Sequence, residues 1–277
     1  MGRSEETMAA GTPVLWHIKI SHYNEKAQWA LDYKGVAHRR RSPLPLFGTL
    51  PTAWLLTRGT TFPILRLNGR SIGDSTRIIA ALEERFPEPP LYPAGRAERD
   101  RALALEDFFD EELAPQVRVL VWSETMKDPR AFQATALPDS GSVVRTALRA
   151  TAPLAAPAVR RRYGATAENE HEARERIIAA MQRLQSEIGS SGYLVGDAFS
   201  VADLTAAALF TPLVQPPERP YLPAAELPRT LRQFCDELAE MPGSEWILDM
   251  YRRHRGTSAE IPSRVAAWRR RRARASA

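Results

Sequence analysis

The fold is decided by Thr60-Thr61-Phe62-Pro63-Ile64-Leu65-Arg66-Leu67-Asn68-Gly69-Arg70-Ser71-Ile72-Gly73-Asp74-Ser75-Thr76. A proline opens an apolar run, Ile64 to Leu67, which reads as a strand. Asn68-Gly69 follows, the dipeptide that best tolerates positive φ at both central positions of a type I′ turn. A second short strand ends at Ile72-Gly73. Asp74 or Ser75 then suits a helix N-cap. Beyond it, Ile78, Ile79 and Leu82 share one helical face. The segment is therefore a hairpin running into a helix N-terminus, whose free N–H groups attract carboxylates.

Upstream, Val14 to Ile20 reads as a strand broken by Ser21-His22-Tyr23. Ala27, Ala30, Leu31 and Lys34 keep helical spacing, and Gly35 stands where a C-terminal capping glycine belongs. A second strand is expected over 37–42. Residues 43–57 read as a loop with one helical turn around Trp54-Leu55-Leu56. The order β-α-β-(α)-β-β-α predicts a small α/β layer on a mixed four-stranded sheet.

Downstream, Pro87-Glu88-Pro89-Pro90-Leu91-Tyr92-Pro93 has linker composition, and everything after it reads as helical or irregular. Helices are expected over 96–114, resuming after Pro115 as far as Trp122, and over 167–188. A turn covers 192–198. Ser200-Val201-Ala202-Asp203 reads as a capping box, with Asp in place of Glu, ahead of a helix over Leu204 to Phe210. A last helix is expected over 229–254. Residues 128–165 resist assignment, and the proline-rich stretch 212–228 reads as an ordered loop or lid. The expected organisation is an α/β domain over 13–88, a linker over 89–95, an all-α domain over 96–255 and a disordered basic tail over 256–277.

The chain has 277 residues, 44% hydrophobic and 26% charged, the balance of a soluble globule. No apolar run approaches the roughly 18 residues of a membrane span. The first twelve residues are polar and lack the apolar core of a signal peptide. A lone cysteine, Cys235, excludes an internal disulfide and fits a reducing cytoplasm. The formal charge of +5 suggests nucleic acid until it is located. From Arg252 onward nine arginines face Glu260 alone, a local charge of +8, so the rest of the chain carries about −3. The basicity belongs to the tail, where it could bind phosphates only non-specifically, and nucleic-acid binding is not expected of the fold.

A small α/β half, a proline-rich linker and a helical half together resemble the cytosolic glutathione transferase family, whose first domain is thioredoxin-like. The resemblance is most specific over about 13–93. In the helical half it rests on Gly196-Asp197-Ala198-Phe199-Ser200-Val201-Ala202-Asp203-Leu204, which is similar to that family's G-D-x-x-S-x-A-D-L motif. The resemblance implies that Pro63 is a cis-proline and that the backbone of Phe62 pairs with the cysteinyl part of glutathione as an added strand. It implies that Asp74-Ser75 holds the γ-glutamyl end, with Asp74 toward the ammonium and Ser75 toward the carboxylate. Ser21 stands where the family places its thiol-activating residue, and Tyr23 is a second candidate. Trp54 and Arg58 are candidates for the glycine end of glutathione. Phe108, Phe109 and Trp122 are candidates for a substrate pocket, although aromatics at helical spacing are more often core.

One departure limits the chemistry. Many relatives with a Ser-His-Tyr start carry cysteine three residues after the serine, where this chain has Asn24. Mixed-disulfide chemistry needs a cysteine nucleophile, so the resemblance points instead to a glutathione thiolate attacking a small electrophile, as in conjugation, isomerisation, elimination or detoxification. Glutathione is the expected co-substrate, no metal is expected, and a homodimer without membrane attachment is implied. The alternative is a non-catalytic protein that keeps the glutathione-binding fold for ligand binding or assembly.

Overall fold

Three-residue strands and a tight hairpin build the sheet. The computed structural model describes residues 11–43, 48–128, 131, 157, 161, 164–219 and 227–262. Strands β1 (Val14–Trp16), β2 (Arg39–Arg41), β3 (Ile64–Leu67) and β4 (Arg70–Gly73) lie in the order β2-β1-β3-β4. β1 and β2 are parallel; β1–β3 and β3–β4 are antiparallel. Leu15 stands opposite Leu65, and Leu65 opposite Ile72. This is the mixed four-stranded sheet expected. β1 is shorter than the 14–20 reading, because after the His17 N–H bonds the Arg41 carbonyl the chain turns at Lys19-Ile20.

Asn68 (φ 50°) and Gly69 (φ 79°) both take positive φ, as a type I′ turn demands. Helix α1 (His22–Tyr33) ends at Gly35, φ 61°, where the Val36 N–H reaches back to the Leu31 carbonyl. Helix α3 (Ser75–Arg85) buries Ile78, Ile79 and Leu82, its expected apolar face.

Helix α2 (Thr49–Thr57) replaces most of the loop expected over 43–57; residues 44–47 lie outside the described residues. Pro51 sits in the first turn, where a missing N–H costs nothing. Only Ala53 is buried, while Leu50, Trp54 and Leu55 face water. With no buried stripe, the helix left no periodic signal.

Two compact units emerge. Among the described residues one comprises 11–18, 27–89 and 256–262; the other comprises 19–26 and 90–255. The division differs from a simple cut at the linker. The turn after β1 and the first residues of α1 group with the helical unit, and the start of the tail groups with the sheet. Residues 256–262 are not the disordered tail expected there: the Ile261 N–H bonds the His38 carbonyl at 2.7 Å, and Asp32 accepts from the Ala259 N–H at 2.8 Å. Residues 263–277 lie outside the described residues.

The helical unit is built on α7 (Val201–Val214), whose residues from Val201 to Leu213 are all buried. α4 (Arg96–Phe108), α5 (Ala114–Thr125), α8 (Arg229–Ala239) and α9 (Pro242–His254) pack on it. α6 (Ala167–Glu187) packs on α5. The Ser200–Asp203 capping box is present, and Asp203 also accepts from the Leu194 N–H at 2.8 Å. Burial pushes the Asp203 carboxyl up to about 6, against hydrogen bonds that favour the carboxylate.

Two helix readings are corrected. The helix from residue 96 does not stop before Pro115. A π turn, Phe109–Leu113, joins α4 to α5 through an Ala114 N–H to Phe109 carbonyl bond. That shift in register admits a proline without breaking the run. The expected single helix over 229–254 is two, because Pro242 forces Met241 into extended backbone, φ −84° and ψ 134°. Gly243 then lets α9 approach α6: a Cβ there would stand 2.5 Å from Met181 Sδ. Of the stretch 212–228, Pro212 to Val214 continue α7, and 220–226 lie outside the described residues.

Candidate functional site

In the sheet unit, the residues expected to hold a peptide ligand flank the two hairpin strands. The Phe62–Pro63 peptide is cis, as the resemblance implied; Glu88–Pro89 is also cis, which was not anticipated. The Phe62 ring packs with Ala53 and Ile64. Its main-chain N–H and C=O make no hydrogen bond to another described residue, which leaves them able to pair with an added strand. Twelve residues after Phe62, Asp74 (φ 76°) is the N-cap of α3, and its carboxylate accepts from the Arg77 N–H at 3.2 Å. Ser75 is the first helical residue and is buried. An N-cap carboxylate and a first-turn hydroxyl thus share one helix N-terminus, a donor set suited to an amino acid head group.

On α2, Arg58 takes φ 58° and lays its guanidinium over the Trp54 indole, 4.1 Å from the ring centroid. The two candidates for the glycine end are therefore neighbours, and both are exposed.

The helical unit holds the Ser21 segment through charge. Ser21 precedes α1, and its carbonyl accepts from the Asn24 and Glu25 N–H groups. It is half-buried, and its hydroxyl makes no hydrogen bond to another described residue. His22 is buried; desolvation first, then the Arg118 charge, push its imidazole down to about 3, so it is neutral at physiological pH. The Tyr23 hydroxyl donates to the Asp110 carbonyl at 2.9 Å. Its one proton is spent there. Glu25 is 1% exposed and faces two arginines, Arg219 at 2.6 Å and Arg255 at 2.7 Å. Lys26 is fully buried between Glu106, at 2.7 Å, and Asp110. Sequence reasoning missed both of these residues. On a first helix that also carries Asn24, Gln28 and Asp32 they gave no signal of their own, because their partners lie far along the chain.

The three aromatic pocket candidates separate. Phe109 is fully buried in the π turn and belongs to the core. Phe108 meets it edge to face at 5.2 Å and lines a groove of about 380 Å³ with Glu112, Arg176, Ala180 and Arg183. Trp122 is half-buried and does not line that groove. Among the described residues, no cluster of three or more His, Cys, Asp or Glu side chains could hold a metal, and no helix is long and apolar enough to cross a membrane.

Comparisons with known proteins agree with this architecture. Residues 15–90 match the glutathione S-transferase N-terminal domain, and residues 151–242 match the glutathione S-transferase C-terminal domain. Among solved structures, the fold is similar to the β-etherase LigF from Sphingobium sp. strain SYK-6, with 19% identity and a TM-score of 0.54, covering 86% of this chain and 99% of that one. It is similar to a glutathione S-transferase from Rhodospirillum rubrum F11, with 18% identity and a TM-score of 0.55, covering 92% and 98%. It is similar also to FzlA from C. crescentus, with 20% identity and a TM-score of 0.55, covering 86% and 92%. No curated protein matches the sequence significantly. With an α/β unit carrying a mixed sheet, a helical unit carrying the buried capping box, and both domain models matched in order, the chain belongs to the glutathione S-transferase family.

Proposed function

We propose that the protein is a glutathione transferase-like enzyme in which Ser21 activates the thiol for attack on a small electrophile. The observation that carries this is the state of the three side chains opening α1. Tyr23 has donated its proton to Asp110, and His22 is buried and uncharged, whereas the Ser21 hydroxyl is uncommitted among the described residues. Ser21 alone of the three combines a donatable proton with partial exposure at a helix N-terminus.

Glutathione, when bound, supplies a nucleophilic sulfur. Phe62 offers its main chain to the cysteinyl part, Ser75 and the N-terminus of α3 take the γ-glutamyl carboxylate, and Asp74 faces the ammonium. Trp54 and Arg58 serve the glycine carboxylate. Ser21 donates to the sulfur and favours its ionised form. Lowering a thiol from about 8.5 to about 6.5 needs about 2.7 kcal/mol. A hydrogen bond to a charged acceptor contributes about 1.5–3 kcal/mol, so one hydroxyl is of the right order. With no cysteine in either segment, attack by a protein thiol is not part of this chemistry.

Replacing Ser21 by Ala tests the assignment. Conjugation of a chlorodinitrobenzene reporter should fall about 100-fold, the loss typical of removing one preorganised donor, with glutathione affinity by calorimetry nearly unchanged. Undiminished turnover would remove Ser21 from the mechanism. A second reading, a non-catalytic binding protein, is favoured by the exposed Leu50, Trp54 and Leu55 of α2. It predicts retention on glutathione resin without turnover of any electrophile.

A further inference from the structure

The turn that presents Ser21 is short. Lys19 and Ile20 turn the chain, Lys19 is exposed, and Ser21 opens the helix. Within the helical unit, the Arg219 side chain reaches both sides of this turn. The Arg219 guanidinium donates through Nη2 to the Lys19 carbonyl at 2.5 Å and places Nε 2.6 Å from Glu25 Oε2. Lys19 lies two residues before Ser21 and Glu25 four residues after it. The Lys19 contact is a directional hydrogen bond, whereas the Glu25 contact is an ion pair in which Oε2 accepts no hydrogen bond.

Glu25 is itself fixed from the other side. Arg255 donates to Oε1 at 2.7 Å. The Tyr251 hydroxyl, bonded to Thr211 at 2.6 Å, stays protonated because burial and the Glu25 charge both oppose its ionisation. Glu25 therefore has one partner at the C-cap of α9, Arg255, and a second, Arg219, that also holds the backbone ahead of Ser21. Arg255 is 7% exposed and Arg219 23%. Arg219 is the more accessible of the two, and its guanidinium also bonds the Lys19 carbonyl.

We propose that Arg219 is a positioning residue for Ser21: by bridging the Lys19 carbonyl and the Glu25 carboxylate, it sets where the Ser21 hydroxyl points. This rests on the assignment of Ser21 as thiol activator. Arg219 touches neither thiol nor electrophile in this scheme and acts only through the turn. Removing it should misplace the hydroxyl without altering the residues proposed to hold glutathione.

A double-mutant cycle on the full chain tests this. R219A should lower kcat about tenfold with glutathione KM within twofold, and shift the alkaline-rising limb of the pH–rate profile upward, because the thiolate loses its donor. In the S21A background the same change should have no further effect. R219K keeps a charge for Glu25 but not the guanidinium donor to the Lys19 carbonyl, and should recover only part of the rate. Equal losses from R219A with and without Ser21, or an unmoved pH profile, would overturn the proposal and leave Arg219 merely structural. Hydrogen exchange needs no glutathione. Peptides spanning residues 19–25 should exchange at least tenfold faster in R219A and normally in R252A, and unchanged exchange in R219A would also overturn it. A wild-type chain that turns over glutathione but ignores S21A would sink the Ser21 assignment, and with it the catalytic role of the bridge. The exchange measurement then reads the bridge alone.

Discussion

Segments 60–76 and 19–26 both serve the proposed thiol chemistry, yet they are held in opposite ways. The first is held locally. Its turn is fixed by Asn68 and Gly69, and its helix start by Asp74 accepting from a residue three positions on. The second is held by distant charge. Arg255 lies 230 residues from Glu25, and Arg219 lies 200 residues from Lys19. A locally held segment survives the loss of any one contact at a cost of about 1 kcal/mol. A segment held by buried ions does not, because a removed partner strands a charge in a site it cannot leave.

The most severe way to break the comparison is Glu25→Ala. It leaves Arg219 and Arg255 without their carboxylate and should cost about 3–5 kcal/mol of stability by urea unfolding. A loss below about 1 kcal/mol would make segment 19–26 no more dependent on distant charge than the hairpin. Acid should expose the same asymmetry. The His22 imidazole is held at about 3 against an ordinary value of 6.5, so the unfolded chain takes up the proton first as pH falls. The stability it contributes is complete above about pH 6.5 and is lost progressively toward pH 3. His22→Gln should flatten the fall of unfolding free energy between pH 6.5 and 4, and an unchanged slope would argue that the ring is not buried neutral.

Smaller effects are expected in the other segment. Ser75→Ala should weaken glutathione binding about tenfold, roughly 1.4 kcal/mol by calorimetry, with little change in the unfolding midpoint. Gly69→Ala forces a Cβ into φ 79° and should cost about 1 kcal/mol. If Gly69→Ala proved as damaging as Glu25→Ala, the hairpin would also be globally supported.

The same contrast explains what could be read from the residues in order. Asn68-Gly69 and the Ser200–Asp203 box are short-range chemistry and legible in the residue order, as was an α3 cap at Asp74 or Ser75, of which the fold uses Asp74. The mixed sheet and the helical half followed from them. α2 was not legible, because it turns Leu50, Trp54 and Leu55 outward and buries only Ala53. The break before α9 was missed, although Pro242 marks it, since the apolar periodicity runs through on both sides. Glu25 and Lys26 gave no functional signal. Their roles depend on Arg219, Arg255, Glu106 and Asp110, which only the folded chain brings near. Ser21 could be named from its place after a strand, but its advantage over Tyr23 depends on where the Tyr23 proton goes, and that is a long-range fact.

The docked residues after α9 bear on solubility. β2 is an edge strand of the sheet, bonded on one side to β1. At its entry, Ala259 and Ile261 cover both main-chain groups of His38, and Arg40 is tied to Asp32 and Ser258. An uncovered edge invites another chain to add a strand. A chain ending at Arg255 would lose that cover and leave the charges of Arg39, Arg40 and Arg41 as the main guard on the edge. Such a truncation would be expected to aggregate with the proposed catalytic residues intact, so poor behaviour of a shortened protein would say nothing about its chemistry.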